Sequence, residues 1–254
     1  MKKTILTFMI CAFGLLSAQN FHIKYINAIS PIANVQEDLY ISDNNVISIR
    51  DSIVNFYSNQ SGNIRFNENT NNVQISPKSI PHKVVIDKKK ESDFVTVFEY
   101  LGETKYEILD KIPQTKWIIN YNSSKDIENY KCFEARTNFR GSNIIAYFTK
   151  EIPYSAGPFK FGGLPGTILE VSEENTNFNS WMAISVEKSS AKINVDTKNA
   201  KKIDLKQYVD LIEEENDKFF LNNTKNLGNN VTVNKMKVPR QGIEKIYEWE
   251  KNNK

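Results

Sequence analysis

The sequence predicts a mainly β protein of the α+β class: a curved antiparallel sheet of many short strands, with a C-terminal helix covering part of it. Three observations carry this. Apolar and polar residues alternate along several runs, as in Phe133, Ala135, Thr137, Phe139 and in Ile144, Ala146, Phe148. That period lays one face of a strand on a core and the other in water. The runs are short and separated by Asn, Asp, Ser and Gly, the residues of tight turns. A helical period is clear only at residues 204–222, so the chain lacks the strand–helix alternation of a parallel α/β fold.

Taken in order, Phe21, Ile23 and Tyr25 alternate and start the first strand. Between Leu39 and Ile75 lie short strand-like runs, with an Asn-rich loop from Asn67 to Asn72. From Lys83 the pattern sharpens. Val84-Val85-Ile86 is a strand candidate, and Phe94, Thr96, Phe98 and Tyr100 share a face of the next. Tyr106 and Ile108, then Trp117-Ile118-Ile119, follow around the break at Ile112-Pro113. Met182, Ile184 and Val186 alternate in the last strong run. Leu205, Tyr208, Val209, Ile212, Phe219 and Phe220 fall near the helical period, and Asp204 with Gln207 makes a capping box at its start. Residues 19–254 are expected to form one β-rich domain with this helical extension.

The most specific stretch is FRGSNIIAYFTKEIPYSAGPFKFGGLPGTILEV, residues 139–171. Gly157-Pro158 is a turn dipeptide, with Gly157 driven into extended geometry by the proline. Gly162 and Gly163 suit positive φ or a close backbone approach. Pro165-Gly166 predicts a type II turn. Phe159, Phe161 and Leu164 are too apolar for a solvated linker, so an ordered loop folded onto the sheet is expected. Arg140 precedes Gly141 at a turn, and Arg140 with a carboxylate such as Glu151 would staple the loop. Lys160 reads as an exposed charge of little stabilising value.

This stretch resembles the signature of the GLPGLI family, standing here as Gly163-Leu164-Pro165-Gly166-Thr167-Ile168, with Thr167 in place of the usual Leu. Trp117-Ile118-Ile119 and Tyr130-Lys131-Cys132-Phe133-Glu134-Ala135 resemble further elements of the family. The resemblance covers roughly residues 94–186. It implies an exported bacterial envelope protein with a β-rich fold, and it carries over no catalytic residues.

The start of the chain agrees with export. Lys2-Lys3, an apolar run from Ile5 to Leu16, and Ser17-Ala18 form a secretory signal over residues 1–18, cut between Ala18 and Gln19. The apolar run is too short to span a bilayer, so membrane association is not required after cleavage. A periplasmic or secreted location follows. The 33 basic and 30 acidic residues give a net charge of +3, or +1 once Lys2 and Lys3 leave, which argues against a nucleic-acid binder. Lys88-Lys89-Lys90 reads as a solvated turn. With Cys11 in the signal, Cys132 is expected alone and buried.

No catalytic motif, metal-ligand spacing or cofactor loop stands out. His22 and His82 have no metal-binding spacing, Gly-x-Ser-x-Gly is absent, and the glycines of the loop precede no Gly-Lys-Ser/Thr. A Cys132–His82 dyad is the weakest option. The signature loop, with Arg140, Glu151, Gly157, Pro158, Lys160, Gly162, Gly163, Leu164, Pro165 and Gly166, is therefore the candidate binding or structural element. Three roles follow: non-enzymatic binding of a protein or envelope component, carriage of an apolar, lipid-like ligand within the curved sheet, or a carboxylate-based enzyme at the loop. The first is favoured.

Overall fold

The computed structural model describes residues 20–31, 33–43, 45–55, 64–67, 72–75, 84–89, 93–224, 239–240 and 242–253, with the backbone alone for the described residues among 51–85. The predicted signal with its cleavage point, His82 and Lys90 lie outside them, as does the middle of the Asn-rich segment.

The strands are β1 (Phe21–Ser30), β2 (Ala33–Ile41), β3 (Asn45–Asn55), β4 (Ile64–Asn67), β5 (Asn72–Ile75), β6 (Val84–Lys89), β7 (Phe94–Leu101), β8 (Thr104–Lys111), β9 (Ile118–Ile127), β10 (Tyr130–Phe139), β11 (Ser142–Thr149), β12 (Thr167–Glu173), β13 (Ser180–Lys188) and β14 (Lys201–Asp204). Helix α1 spans Leu205–Thr224. Twelve strands form one sheet in the order β14-β8-β7-β6-β3-β2-β1-β13-β12-β11-β10-β9, and β4 pairs with β5 apart from it. Pairing is antiparallel except between β14 and β8.

The topology forces this sheet to curl. Lys111 ends β8, next to one edge, and Ile118 begins β9, the other edge. Residues 112–117 are the only link between them and reach roughly 25 Å when fully extended. Ten strand spacings separate β8 from β9 in the sheet order, which is about 48 Å across a flat sheet. The edges must therefore approach one another, and the hollow between them is closed by loop and tail. Residues 150–166, between β11 and β12, send Ile152, Ala156, Phe161 and Leu164 into it. Ile23, Tyr25, Leu39, Ala135, Phe148, Ile168 and Val171 line it from the sheet.

The helix starts as its sequence dictates. Gln207 N–H donates to Asp204 Oδ1 at 2.8 Å and Asp204 N–H to Gln207 Oε1 at 3.2 Å, the reciprocal capping pair. Leu205, Tyr208 and Val209 pack on Ile86, Val95, Val97 and Ile108 at the β8 edge of the sheet, while Phe219 is exposed.

Two runs bury a different face from the one their larger side chains suggest. In β7, Val95 and Val97 join the helix-side core, whereas Phe94 and Tyr100 are exposed and Phe98 enters a small cluster with Ile47. In β13, Trp181 and Ala183 are buried, Met182 and Ile184 are exposed, and Val186 packs on the core again. The register explains the switch: Lys24 pairs with Ser185 but Tyr25 with Ala183, so Ile184 is an extra, bulged residue that reverses the inward parity.

Candidate functional site

The signature loop is built from tight backbone turns. Tyr154 N–H donates to Ile152 O, Ala156 N–H to Tyr154 O and Gly166 N–H to Leu164 O, each at 2.8 Å, so Pro153, Ser155 and Pro165 each centre a three-residue γ-turn. The expected type II turn at Pro165-Gly166 is thus replaced by this tighter one. Gly166 has φ +154°, and a Cβ there would sit 2.0 Å from the Thr149 carbonyl oxygen. Close approach to β11, rather than turn type, demands the glycine. Gly163 does have positive φ, +84°. Thr167, at the position where the motif usually carries Leu, is fully buried and donates its hydroxyl proton within a site that offers the carbonyls of Ile152 (3.2 Å) and Tyr154 (3.0 Å).

Three side chains from elsewhere in the fold, the buried Glu37 and the half-buried Lys88 and Trp117, hold this loop. Glu37, on β2, accepts from Phe159 N–H (2.6 Å), Ser48 Oγ (2.5 Å), Trp181 Nε1 (2.7 Å) and Asn27 Nδ2 (3.1 Å). Both of its oxygens are thereby saturated. Phe159 pays for that bond with a left-handed backbone, φ +51°, and stacks on Trp181 with ring centroids 5.6 Å apart. Lys88, on β6, donates to Gly157 O at 3.0 Å and Phe161 O at 2.6 Å. The lysine run is therefore no solvated turn here: Lys88 lies in a strand under the loop. Trp117 Nε1 donates to Gly162 O at 2.9 Å.

The fourth attachment is a buried ion cluster. Arg140 and Gly141, with φ +44° and +88°, form the β10–β11 turn of the I′ type. From it the Arg140 guanidinium forks onto Asp110 of β8, Nη1–Oδ2 2.9 Å and Nη2–Oδ1 2.7 Å. It also donates to Glu244 and, from Nε, to Glu248 at 3.3 Å, both in the C-terminal tail. Lys160 contacts Asp110 and Glu244, each at 2.8 Å. The sequence expectation for Lys160 is thus overturned: it is 6% exposed and belongs to this cluster, because the loop turns inward where a surface rim was expected. Burial by itself would raise the Asp110 carboxyl, but the Arg140 hydrogen bonds and the Lys160 charge outweigh it and hold the group below its ordinary value. Glu151 takes no part. It is exposed and accepts the Lys131 N–H at 3.0 Å, so the staple from Arg140 runs to Asp110, Glu244 and Glu248 instead.

The tail that brings Glu244 and Glu248 also buries Ile243 and Tyr247 and ends in a 3-10 turn, Glu248–Asn253. Lys245 and Ile246 N–H both donate to Arg140 O at 2.9 Å.

Beside the loop lies a cleft of about 400 Å³. Tyr154, Ser155, Lys160 and Phe161 of the loop line it together with Lys88, Val95 and the 112–115 link. Tyr154 Oη reaches Asp43, from the β2–β3 turn, at 3.4 Å. Of the residues singled out from the sequence, Lys160, Gly162 and Gly163 line this cleft, Arg140 lies behind Lys160, and Glu151 stands apart. From the sequence alone, Glu37, Asp110 and Glu244 have no site role, and Lys88 reads as part of a solvated turn. For Glu37, Lys88 and Asp110 a signal existed. Each charged residue occupies an inward position in an apolar alternation: Val35-Glu37-Leu39, Val84-Ile86-Lys88 and Ile108-Asp110-Ile112. Among the described residues no group of three or more His, Cys, Asp or Glu is placed to hold a metal ion. Cys132 is buried and unpaired, and burial raises its thiol to about 12. His22 bonds Asp38 at 2.7 Å and stacks on Tyr40.

Fold and site together define a curled, open β-sheet whose hollow is plugged by a Gly/Pro loop and pinned by buried ions. Residues 137–170, spanning Arg140, the loop and the start of β12, match the family described as "Protein of unknown function (Porph_ging)". The GLPGLI-like motif lies inside that match, under a different family name. No curated protein matches the chain. Two crystal structures of PNGF-II, in space groups P21 and C2, are similar in fold, with TM-scores of 0.54 and 0.53 at 16% identity. They cover 78% of this chain, which in turn spans 34% and 33% of theirs, about a third of that protein's length. No helix of the described residues is long and apolar enough to cross a membrane.

Proposed function

We propose that the chain is an exported envelope protein of the GLPGLI type that binds a protein or surface component in the cleft beside the signature loop, without performing chemistry. The observation that carries this is the preorganised wall. Glu37 of β2, Lys88 of β6, Trp117 of the 112–117 link and the pairing of the loop's Lys160 with Asp110 of β8 fix the loop before any ligand arrives, and rigid walls reduce the ordering cost of binding. The two other roles fit less well. The hollow that would hold an apolar cargo is filled by Phe159, Phe161 and Leu164. The buried carboxylates that meet the loop are committed: Glu37 to its four donors, and Asp110 and Glu244 to Arg140 and Lys160. A general acid working near neutrality needs a raised value, and Asp110 is shifted the other way. Export rests on the basic, apolar and small-residue pattern of residues 1–18.

The test is site-specific photo-cross-linking in the native host, with a benzophenone side chain at Tyr154 or Gln114 in the cleft and, as control, at Met182 on the exposed face of β13. A discrete adduct from the cleft positions and none from Met182 is the expected result. Adducts from neither cleft position, with the protein folded and abundant, would refute the reading. N-terminal sequencing of the same material should begin at Gln19, and recovery of Met1 would refute export by cleavage.

A further inference from the structure

Lys88, half-buried at the cleft, differs from the buried ions around it. Among the described residues its ammonium donates to two main-chain carbonyls and to no carboxylate. Glu37 is the acid whose charge it feels, but that carboxylate is already saturated by its four donors. Lys160, which also lines the cleft, has Asp110 and Glu244 as counter-ions. A desolvated cation with only neutral partners is costly, and an anion beside it removes much of that cost. Lys88 forms part of the cleft wall, Lys89 follows it there, and the neighbouring surface is apolar, from Val95, Ile112 and Phe161.

We propose that the cleft takes a small organic acid, its carboxylate or phosphate set against Lys88 and its apolar part lying on Val95, Ile112 and Phe161. This deepens the binding role proposed above and rests on the cleft being the recognition site. A proton linkage follows. Burial lowers the Lys88 amine to about 7, with Glu37 opposing the shift. The charged groups around it are Glu37 from β2, Asp43 from the β2–β3 turn, Asp87 and Lys89 on its own strand, Asp93 before β7, and Lys160 with its partners Asp110 and Glu244. Near neutrality the unliganded amine is about half protonated, and an acid bound against it restores the charge by drawing a proton from solvent.

The experiment is calorimetric titration of the mature protein with octanoate, octyl phosphate, octylamine and octanol at pH 6, 7 and 8. Binding of one or both acids is expected, that of octanoate, ionised throughout this range, about tenfold tighter at pH 6 than at pH 8 for linkage to one proton, with proton uptake seen as a buffer-dependent heat. Lys88→Arg should bind octanoate with that pH dependence abolished, since arginine and the carboxylate both stay charged throughout. Lys88→Met should lose tenfold or more while its melting transition shows it folded. Equal binding of octylamine or octanol, pH-independent binding by the wild type, or undiminished binding by folded Lys88→Met would each overturn the proposal. So would capture of the protein by phosphatidylglycerol vesicles with neither soluble acid bound, which would assign the anion to a lipid surface. Cleft cross-links without acid binding would end this proposal alone, and the absence of both would end the cleft as a recognition site.

Discussion

Gly166→Ala is the sharpest test of how the signature loop is built. The added Cβ would lie 2.0 Å from the Thr149 carbonyl oxygen, 2.8 Å from its carbon and 3.2 Å from Lys150 Cα. All three are main-chain atoms, so no side-chain rotation relieves the clash. Relief requires β11 and the loop to separate, at a point where Thr149 pairs with Thr167 and Thr167 serves the carbonyls of Ile152 and Tyr154. Overpacking costs roughly 1–3 kcal/mol, and an unfavourable backbone conformation adds about 1 kcal/mol or more. The expected loss is therefore roughly 3 kcal/mol. Gly102→Ala is the control, because Gly102 has φ +60° and nothing within 4 Å of an added Cβ. It suffers the backbone term alone, about 1 kcal/mol. At a few degrees per kcal/mol for a chain of this size, Gly166→Ala should melt roughly 6–12 °C below wild type and Gly102→Ala about 2–4 °C below. Urea unfolding with matched m-values measures both. If Gly166→Ala proves no less stable than Gly102→Ala, the close approach of loop and β11 is wrong.

Other outcomes follow from the same contacts. Arg140→Gln strands Asp110 and Glu244 without their main cation, and should cost roughly 3–5 kcal/mol in urea unfolding, far above the surface pair Lys206–Asp210, whose removal should cost under about 1 kcal/mol. Thr167→Val keeps the shape but removes the one hydroxyl proton available to the carbonyls of Ile152 and Tyr154, which keep the N–H groups of Tyr154 and Ala156, for an expected loss of roughly 0.5–1.5 kcal/mol and faster amide exchange at Ala156 and Ile168. Cys132, buried with its thiol raised, should react with thiol reagents only on unfolding, so stoichiometric labelling within minutes under native conditions would contradict its placement.

Much of the local structure is legible in the residues alone. Period-two alternation marked β1, β10 and β11, the Asp204–Gln207 box marked the first turn of α1, and the glycines and prolines of residues 157–166 marked an ordered loop whose Phe161 and Leu164 are buried. These features act over a few residues, where backbone sterics and side-chain spacing leave little choice. Even the buried charges left a local trace, because Glu37, Lys88 and Asp110 break apolar alternations. What they meet left none. Glu37 binds Phe159 and Trp181, Arg140 binds Asp110 and Glu244, and Lys160 turns inward only because the tail and β8 arrive beside it. Those partners are separated by up to 144 residues along the chain. The face that each strand buries was likewise settled from afar, by the bulge at Ile184 and by the curl that the short β8–β9 link imposes. Alternation fixes which residues share a face. Only the pairing of distant strands decides which face is inside, and a one-residue shift in that pairing reverses the answer.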